Sequence, residues 1–156
     1  MNRSLTTDPM PDGRIQIFPE QETASRHAAH LLVGWLDPIA DPLLVAATGD
    51  SPTLAYDHLA EEAKVAPERF RGLRLLKLDE WGGLEMDDPA TCESYLRHHL
   101  VKPLGLSPDR YMAFESNPRD PVDECKRIAA WVSDEGPIDV CVLGLGRNGH
   151  LAMNEP

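Results

Sequence analysis

The sequence is short of positive charge: 15 Lys and Arg stand against 26 Asp and Glu, a formal net charge of -11 at pH 7. It contains no Lys/Arg block that could track a phosphate backbone or an anionic bilayer, which argues against nucleic acid or a membrane as partner. It is also short of cysteine. Cys92, Cys125 and Cys141 are widely spaced, form no Cys-x-x-Cys pair and lie in apolar periodic stretches, so they read as reduced core thiols rather than a redox or metal site. Metal-ligand spacing is absent, and neither a metal nor an organic cofactor is expected. No apolar run reaches the roughly 18 residues of a membrane span, and the opening MNRSLTTDPMPDG lacks the apolar centre of a signal peptide. These absences together imply a cytoplasmic protein. With so acidic a chain, any anionic ligand must be held by local donors against the overall field.

What is present is enough for one core. A chain of 156 residues with 42% hydrophobic side chains buries roughly 68–70% of its unfolded surface as a single domain. We expect a leader over residues 1–12 and one domain over residues 13–156. Ile15 and Ile17 alternate with polar neighbours over residues 14–18, the pattern of a short edge strand. A helix is expected from about Gln21 to Leu36, with Ala24, Ala28, Leu31, Leu32 and Trp35 on one face and Asp37-Pro38 ending it. Residues 43–47 form a short apolar run suited to a strand buried on both faces. Ser51-Pro52 then reads as an N-cap with proline at the first helical position, opening a helix to about Lys64.

The alternation continues. Strands are expected over residues 73–78, 111–114 and 138–143. Helices are expected over residues 91–101, with Cys92, Tyr95, Leu96 and His99 on one side, and after a cap at Asp120-Pro121. Such a succession predicts an α/β, Rossmann-like fold, its sheet largely parallel and its helices on both faces. In open sheets of this kind ligands gather at the carboxyl ends of strands. Three segments lie there: residues 48–51, 79–83 and 144–155.

Each segment has a functional and a plain reading. Thr48, Gly49 and Ser51 offer two hydroxyls, a flexible glycine and unpaired amides at a helix start, which can cradle a phosphate; an ordinary cap explains the same residues, and Asp50 would repel the anion unless it points away. Asp79 and Glu80 follow a strand directly, and because successive side chains point to opposite faces only one of them can enter a given cleft. Solvated loop charge is the alternative. Gly144, Gly146 and Gly149 fit G-x-G-x-x-G, so a dinucleotide-binding module competes. Such a site needs a helix after the third glycine, but Pro156 follows soon after. The segment better suits an imidazole, His150, held at a strand end, with Asn148 and Glu155 available to orient it as a general acid/base. The other histidines, His27, His30, His58, His98 and His99, read as helix surface or packing residues.

Taken together, ATGDSP (47–52), LDEWGGL (78–84) and GLGRNGHLAMNEP (144–156) resemble, in order and spacing, the glucosamine-6-phosphate deaminase/isomerase family. The resemblance implies a sugar-phosphate substrate and an enzyme that releases ammonia as it converts an amino sugar phosphate to a ketose phosphate. It implies that Asp79 moves a proton from C2 to C1 of the open-chain sugar. It also implies that His150 opens the ring, that Glu155 and Asn148 orient His150, and that Thr48, Gly49 and Ser51, with Glu80, Gly146 and Gly149, contribute to substrate and phosphate binding. Many deaminases of the family carry aspartate where this chain has Asn148; galactosamine-6-phosphate isomerase-like members are similar to this chain in carrying asparagine after a basic residue, as in Arg147-Asn148. The resemblance therefore favours an amino sugar other than glucosamine, or a broader specificity. Family members also continue past this point with further strands, a lid and basic residues, so the domain is expected to be incomplete on its C-terminal side and to leave a sheet edge uncovered. The alternatives are a 6-phosphogluconolactonase, whose Gly-rich histidine loop is similar, and a sugar-phosphate sensor without turnover. A homo-oligomer is compatible with the sequence.

Overall fold

The computed structural model describes residues 15–154. Its elements run α1 (Gln21–Leu36), β1 (Leu43–Ala46), α2 (Asp50–Val65), β2 (Arg74–Lys77), α3 (Cys92–Leu96), β3 (Tyr111–Met112), α4 (Pro121–Glu135) and β4 (Val140–Cys141). The four strands form one parallel sheet in the order β3-β2-β1-β4. β1 is one of the two inner strands and all four of its residues are buried, as expected of an apolar run covered on both faces. Strand parity divides its side chains. Leu44 and Ala46 join the larger core with Leu32 and Leu36 of α1, Tyr56 and Leu59 of α2 and Leu96 of α3. Leu43 and Val45 face the other way, with Leu76, onto Ile128, Trp131 and Val132 of α4. Helices on both faces of a parallel sheet are the α/β arrangement that the alternation of elements implies.

Local chemistry explains most of the boundaries. The Asp120 carboxylate accepts from the backbone N–H groups of Val122 at 2.8 Å and Asp123 at 3.2 Å, with Pro121 in the first turn of α4, an N-cap followed by proline as the sequence indicates. Thr91 caps α3 through its hydroxyl, which accepts from Ser94 N–H. A π-helical turn over Arg97–Val101 extends that helix.

The structure corrects several expectations. No strand forms over residues 15–18, where Ile15 and Ile17 are about 90% exposed; the alternation there has no neighbouring strand to pair with among the described residues. The cap of α2 is Gly49 rather than Ser51, and the helix begins at Asp50. The positive φ of Gly49, 106°, takes the chain straight from β1 into the helix and leaves Ser51 inside the first turn. On α1 the buried stripe is Ser25, Ala29, Leu32 and Leu36, about one residue round from the expected face. Ala24, Ala28, Leu31 and Trp35 instead line an apolar groove of about 500 Å³ against Val140 and Val142. Two of the three cysteines are not core thiols: Cys125 and Cys141 are exposed and only Cys92 is buried. Cys125 lies on the outer side of α4, and Cys141 on β4, whose outer edge has no strand partner among the described residues. β4 itself spans two residues rather than six for the same reason, although Asp139 and Val142 N–H still donate to Leu43 and Val45 carbonyls. The expected leader over residues 1–12 and the calls on Glu155 and Pro156 lie outside the described residues.

No helix among the described residues is long and apolar enough to cross a membrane.

Candidate active site

The sheet order places β1 beside both β2 and β4, so the chain leaves β1 in one direction and returns to its other side. Open α/β sheets bind ligands at such a reversal, beyond the carboxyl ends of the strands. A cleft of about 360 Å³ lies there, within the size range of small-molecule sites. Thr48 comes from the end of β1, Asp79 from the end of β2, and Gly144, Gly146 and His150 from the loop after β4; Leu145, Trp81, Ala152 and Met153 supply apolar wall.

His150 is held from below and from one side. Gly146 N–H donates to the His150 carbonyl and Gly149 N–H to the Gly146 carbonyl, both at 2.9 Å, and Gly149 makes the reversal with a φ of 89°. The imidazole then lies directly over Gly146: a Cβ at that glycine would sit 2.3 Å from ring atoms Nδ1 and Cε1. Asn148 Oδ1 stands 2.5 Å from His150 Nδ1 and also accepts from the His150 backbone N–H at 3.3 Å. An amide oxygen can only accept, so Nδ1 carries the hydrogen and the basic lone pair belongs to Nε2. After Gly149 no helix forms; Leu151 makes isolated antiparallel bridges to Leu145 and Asn154. Without that helix the glycine pattern lacks the anion-binding terminus of a dinucleotide site.

Asp79 and Glu80 part company at the strand end, as side-chain alternation demands. Asp79 faces the cleft. Burial raises its pKa above the usual carboxylate range, the neighbouring Glu80 raises it further, and Lys77 works in the opposite direction. Glu80 turns inward, where only 3% of its side chain is exposed. Its carboxylate accepts from Cys92 N–H at 2.8 Å, Glu93 N–H at 2.9 Å, its neighbour Trp81 N–H at 2.8 Å and Lys77 Nζ at 2.5 Å. Burial opposes the charge of Glu80, but the Lys77 ammonium and the Cys92 and Trp81 amides outweigh it and hold the carboxyl below its ordinary range. Lys77 is completely buried and also lies 3.3 Å from Glu93, which in turn pairs with Arg97 at 2.6 Å and accepts from Tyr111 Oη at 2.7 Å.

The loop after β1 is fixed through its carbonyl. Thr53 Oγ1 donates to the Gly49 carbonyl at 2.8 Å, and Tyr95 Oη donates to the same oxygen at 3.0 Å. That leaves the amides at the start of the 16-residue α2 without a side-chain cap. Thr48 reaches the cleft, but its hydroxyl donates to Cys92 Sγ at 3.3 Å. Ser51 borders the apolar groove beside α1 and not this cleft.

Of the residues singled out from sequence, the structure thus brings Asp79, His150, Thr48 and Gly146 to one cavity, with Asn148 and Gly149 shaping the histidine loop. Gly49 sits at the edge as the α2 cap. Glu80 and Ser51 are directed elsewhere: the first is drawn inward by Lys77 and the α3 amides, the second is carried round by the earlier start of α2. Glu155 lies outside the described residues. Trp81, 58% exposed on the cleft wall, was missed, although its separation of two residues from Asp79 puts it on the same side of an extended segment. Lys77 was missed too, because a lysine in a strand reads as solvent-facing. Among the described residues no group of His, Cys, Asp and Glu is arranged to hold a metal ion.

Residues 18–153 match the family described as glucosamine-6-phosphate isomerases/6-phosphogluconolactonase. The Escherichia coli (strain K12) protein named "Putative deaminase AgaI" is 35% identical over 98% of this chain and 61% of its own length. The glucosamine-6-phosphate deaminase of Bacillus pumilus (strain SAFR-032) is 31% identical over 89% of this chain and 58% of its own length. The chain therefore spans little more than half the length of these relatives. A solved monomeric glucosamine-6-phosphate deaminase of the NagB superfamily superposes with a TM-score of 0.80 at 30% identity, covering 85% of this chain and 55% of that one. A 6-phosphogluconolactonase from Shewanella baltica OS155, at 20% identity and a TM-score of 0.72 over 87% of this chain and 58% of that one, shares the fold. The chain belongs to the glucosamine-6-phosphate isomerase/6-phosphogluconolactonase family.

Proposed function

We propose that this chain carries the catalytic centre of an amino-sugar phosphate isomerase/deaminase that converts a 2-amino-2-deoxy-hexose 6-phosphate to the ketose 6-phosphate and ammonia. The observation that carries the reading is Asp79 and His150 lining one cleft, with the imidazole oriented by Asn148. His150 Nε2 takes the proton of the C1 hydroxyl and delivers it to the ring oxygen as the C1–ring-oxygen bond breaks, opening the pyranose to the aldehyde. Asp79 removes the C2 proton of the open-chain aldehyde while the aldehyde oxygen takes up a proton from the substrate's own C2 ammonium, giving a 1,2-enolamine, and Asp79 then returns the C2 proton to C1. The C2 iminium that results takes up one water and expels ammonia, leaving the ketose. A carboxylate with a raised pKa suits this work, because proton transfer is most effective when the base titrates near the working pH. The backbone amides at the start of α2 are donors for the phosphate, helped by the helix dipole. Trp81 offers an apolar ring to one face of the sugar. Arg147-Asn148 favours galactosamine 6-phosphate, or both epimers, over glucosamine 6-phosphate alone. Glu155 is assigned a share in orienting His150.

The test is to incubate the full natural protein with glucosamine 6-phosphate, galactosamine 6-phosphate and 6-phosphogluconolactone and to follow ammonia and acid. Ammonia from an amino sugar is the expected result. Acid from the lactone with no ammonia from either sugar would replace the proposal by ester hydrolysis, with His150 activating water. Binding of a sugar phosphate without exchange of its C2 proton would replace it by a sensor.

A further inference from the structure

The buried charges beneath the cleft have no part in the steps above, yet Glu80 adjoins the proposed base in sequence and Lys77 stands two residues before it. Lys77, at the end of β2, is wholly buried, with its ammonium against Glu80 and against Glu93 in the first turn of α3. Exchanging a buried ion pair for apolar side chains of similar volume is often neutral or stabilising, so holding the fold together is a weak reason to keep one. Position is a better reason. Asp79 lies between Lys77 and Glu80 in sequence. The Glu80 carboxylate is tied to Lys77 on one side and to the Cys92 and Glu93 amides on the other. With Glu80 anchored inward by these bonds, alternation of adjacent side chains turns Asp79 the other way, into the cleft.

We propose that the Lys77–Glu80 pair is a positioning device for Asp79, one that fixes the direction of its carboxylate and presents it with two opposed charges. The inference rests on the reading of Asp79 as the base. The groups facing Asp79 from the surrounding elements are Lys77 of β2, Glu80 of the same turn, the Cys92 thiol of α3, and His150 across the cleft among the described residues. Of these, Lys77 favours the charged form of Asp79 and Glu80 disfavours it. A base must be deprotonated to act, so its titration sets the acid limb of the pH profile.

The experiment is the pH dependence of C2 proton exchange with solvent deuterium and of kcat/KM, in the full natural protein and three variants. Lys77→Met should move the acid limb to higher pH, with a fall of about twofold or more in kcat/KM on the acid side. Glu80→Gln should move it to lower pH. The double variant should fall between the two. Such opposed shifts are not what a merely structural pair would give, since loss of packing lowers rates at every pH without displacing the limb. Wild-type exchange together with an unmoved limb in both single variants would overturn this inference while leaving the proposed function standing. No exchange by wild-type protein would remove the proposed function, and this inference with it. Should Lys77→Met fail to fold, Glu80→Gln decides alone: a limb that stays put or moves upward refutes the proposal.

Discussion

Replacing Gly146 by alanine separates the site from the fold. The φ of Gly146 lies outside the left-handed region, so the backbone accepts a side chain there without strain. The added methyl, however, would stand 2.3 Å from the His150 ring, where ordinary contact begins at 3.4 Å. The backbone is tied on both sides by the Gly146–His150 and Gly149–Gly146 hydrogen bonds, so the imidazole is the part that gives way, by about 1.1 Å. A displacement of about 1 Å at a reacting group costs roughly 10²-fold in rate. We therefore expect Gly146→Ala to lower kcat on cyclic substrate by about two orders of magnitude while exchange on an open-chain analogue, which needs no ring opening, changes little. Thermal stability should stay within about 0.5 kcal/mol of wild type, as for substitutions outside a packed core. Stopped assays on the two substrates with a melting curve suffice. Turnover of the cyclic sugar within a few-fold of wild type would show that the position of this imidazole does not govern ring opening.

Other substitutions probe the surrounding structure. Asp79→Asn should abolish C2 exchange and raise Tm at neutral pH. Because the folded pKa of Asp79 is raised, its carboxylate favours folding least once ionised, so the gain appears as pH rises above about 3.8, the ordinary value, and vanishes below it. Equal melting of the two proteins at pH 7 would contradict the burial of that charge. Glu80→Ala leaves the buried Lys77 ammonium with Glu93 alone and two α3 amides without an acceptor, and should cost about 3 kcal/mol in denaturant unfolding, whereas Lys126→Ala, which breaks an exposed pair with Asp123, should cost less than about 1 kcal/mol; similar losses for both would mean that water reaches Glu80. Asp120→Ala removes the cap of α4 and should cost about 1 kcal/mol, a Tm decrease of about 2–4 °C, with no change in KM; an unchanged Tm would show that water replaces the cap.

The parts of the fold legible in the sequence are those where local chemistry and burial agree. The run at residues 43–47 needed apolar residues on both faces, and Asp120-Pro121 could hardly do anything but start a helix. The misreadings share a cause, which is that the neighbour deciding the outcome is distant in sequence. The α1 stripe of Ala24, Ala28, Leu31 and Trp35 is apolar, as periodicity shows, but α2 packs on the adjacent stripe. The cysteines at 125 and 141 sit in apolar stretches, yet which side of a helix or strand is covered depends on what lies across it. The start of α2 turned on the φ of one glycine, which no side-chain pattern reveals.

The site shows the same division more sharply. Residues 144–150 carry their own geometry, because Gly146, Gly149, an amide and an imidazole within seven positions determine one another, so His150 and Asn148 could be read from the sequence directly. Asp79 could not. Parity says that Asp79 and Glu80 face opposite ways, but not which of them faces the cleft. The choice is made by Lys77, whose ammonium would be stranded in the core without a carboxylate partner, and by the orphan amides of α3 that Glu80 also satisfies. Turning Glu80 outward would leave a buried cation facing Glu93 alone and the Cys92 and Glu93 amides without their acceptor; turning Asp79 outward leaves only a partly desolvated carboxylate, which is the condition a carbon-acid base requires. The residue selected for the cleft is therefore the one the interior has no use for.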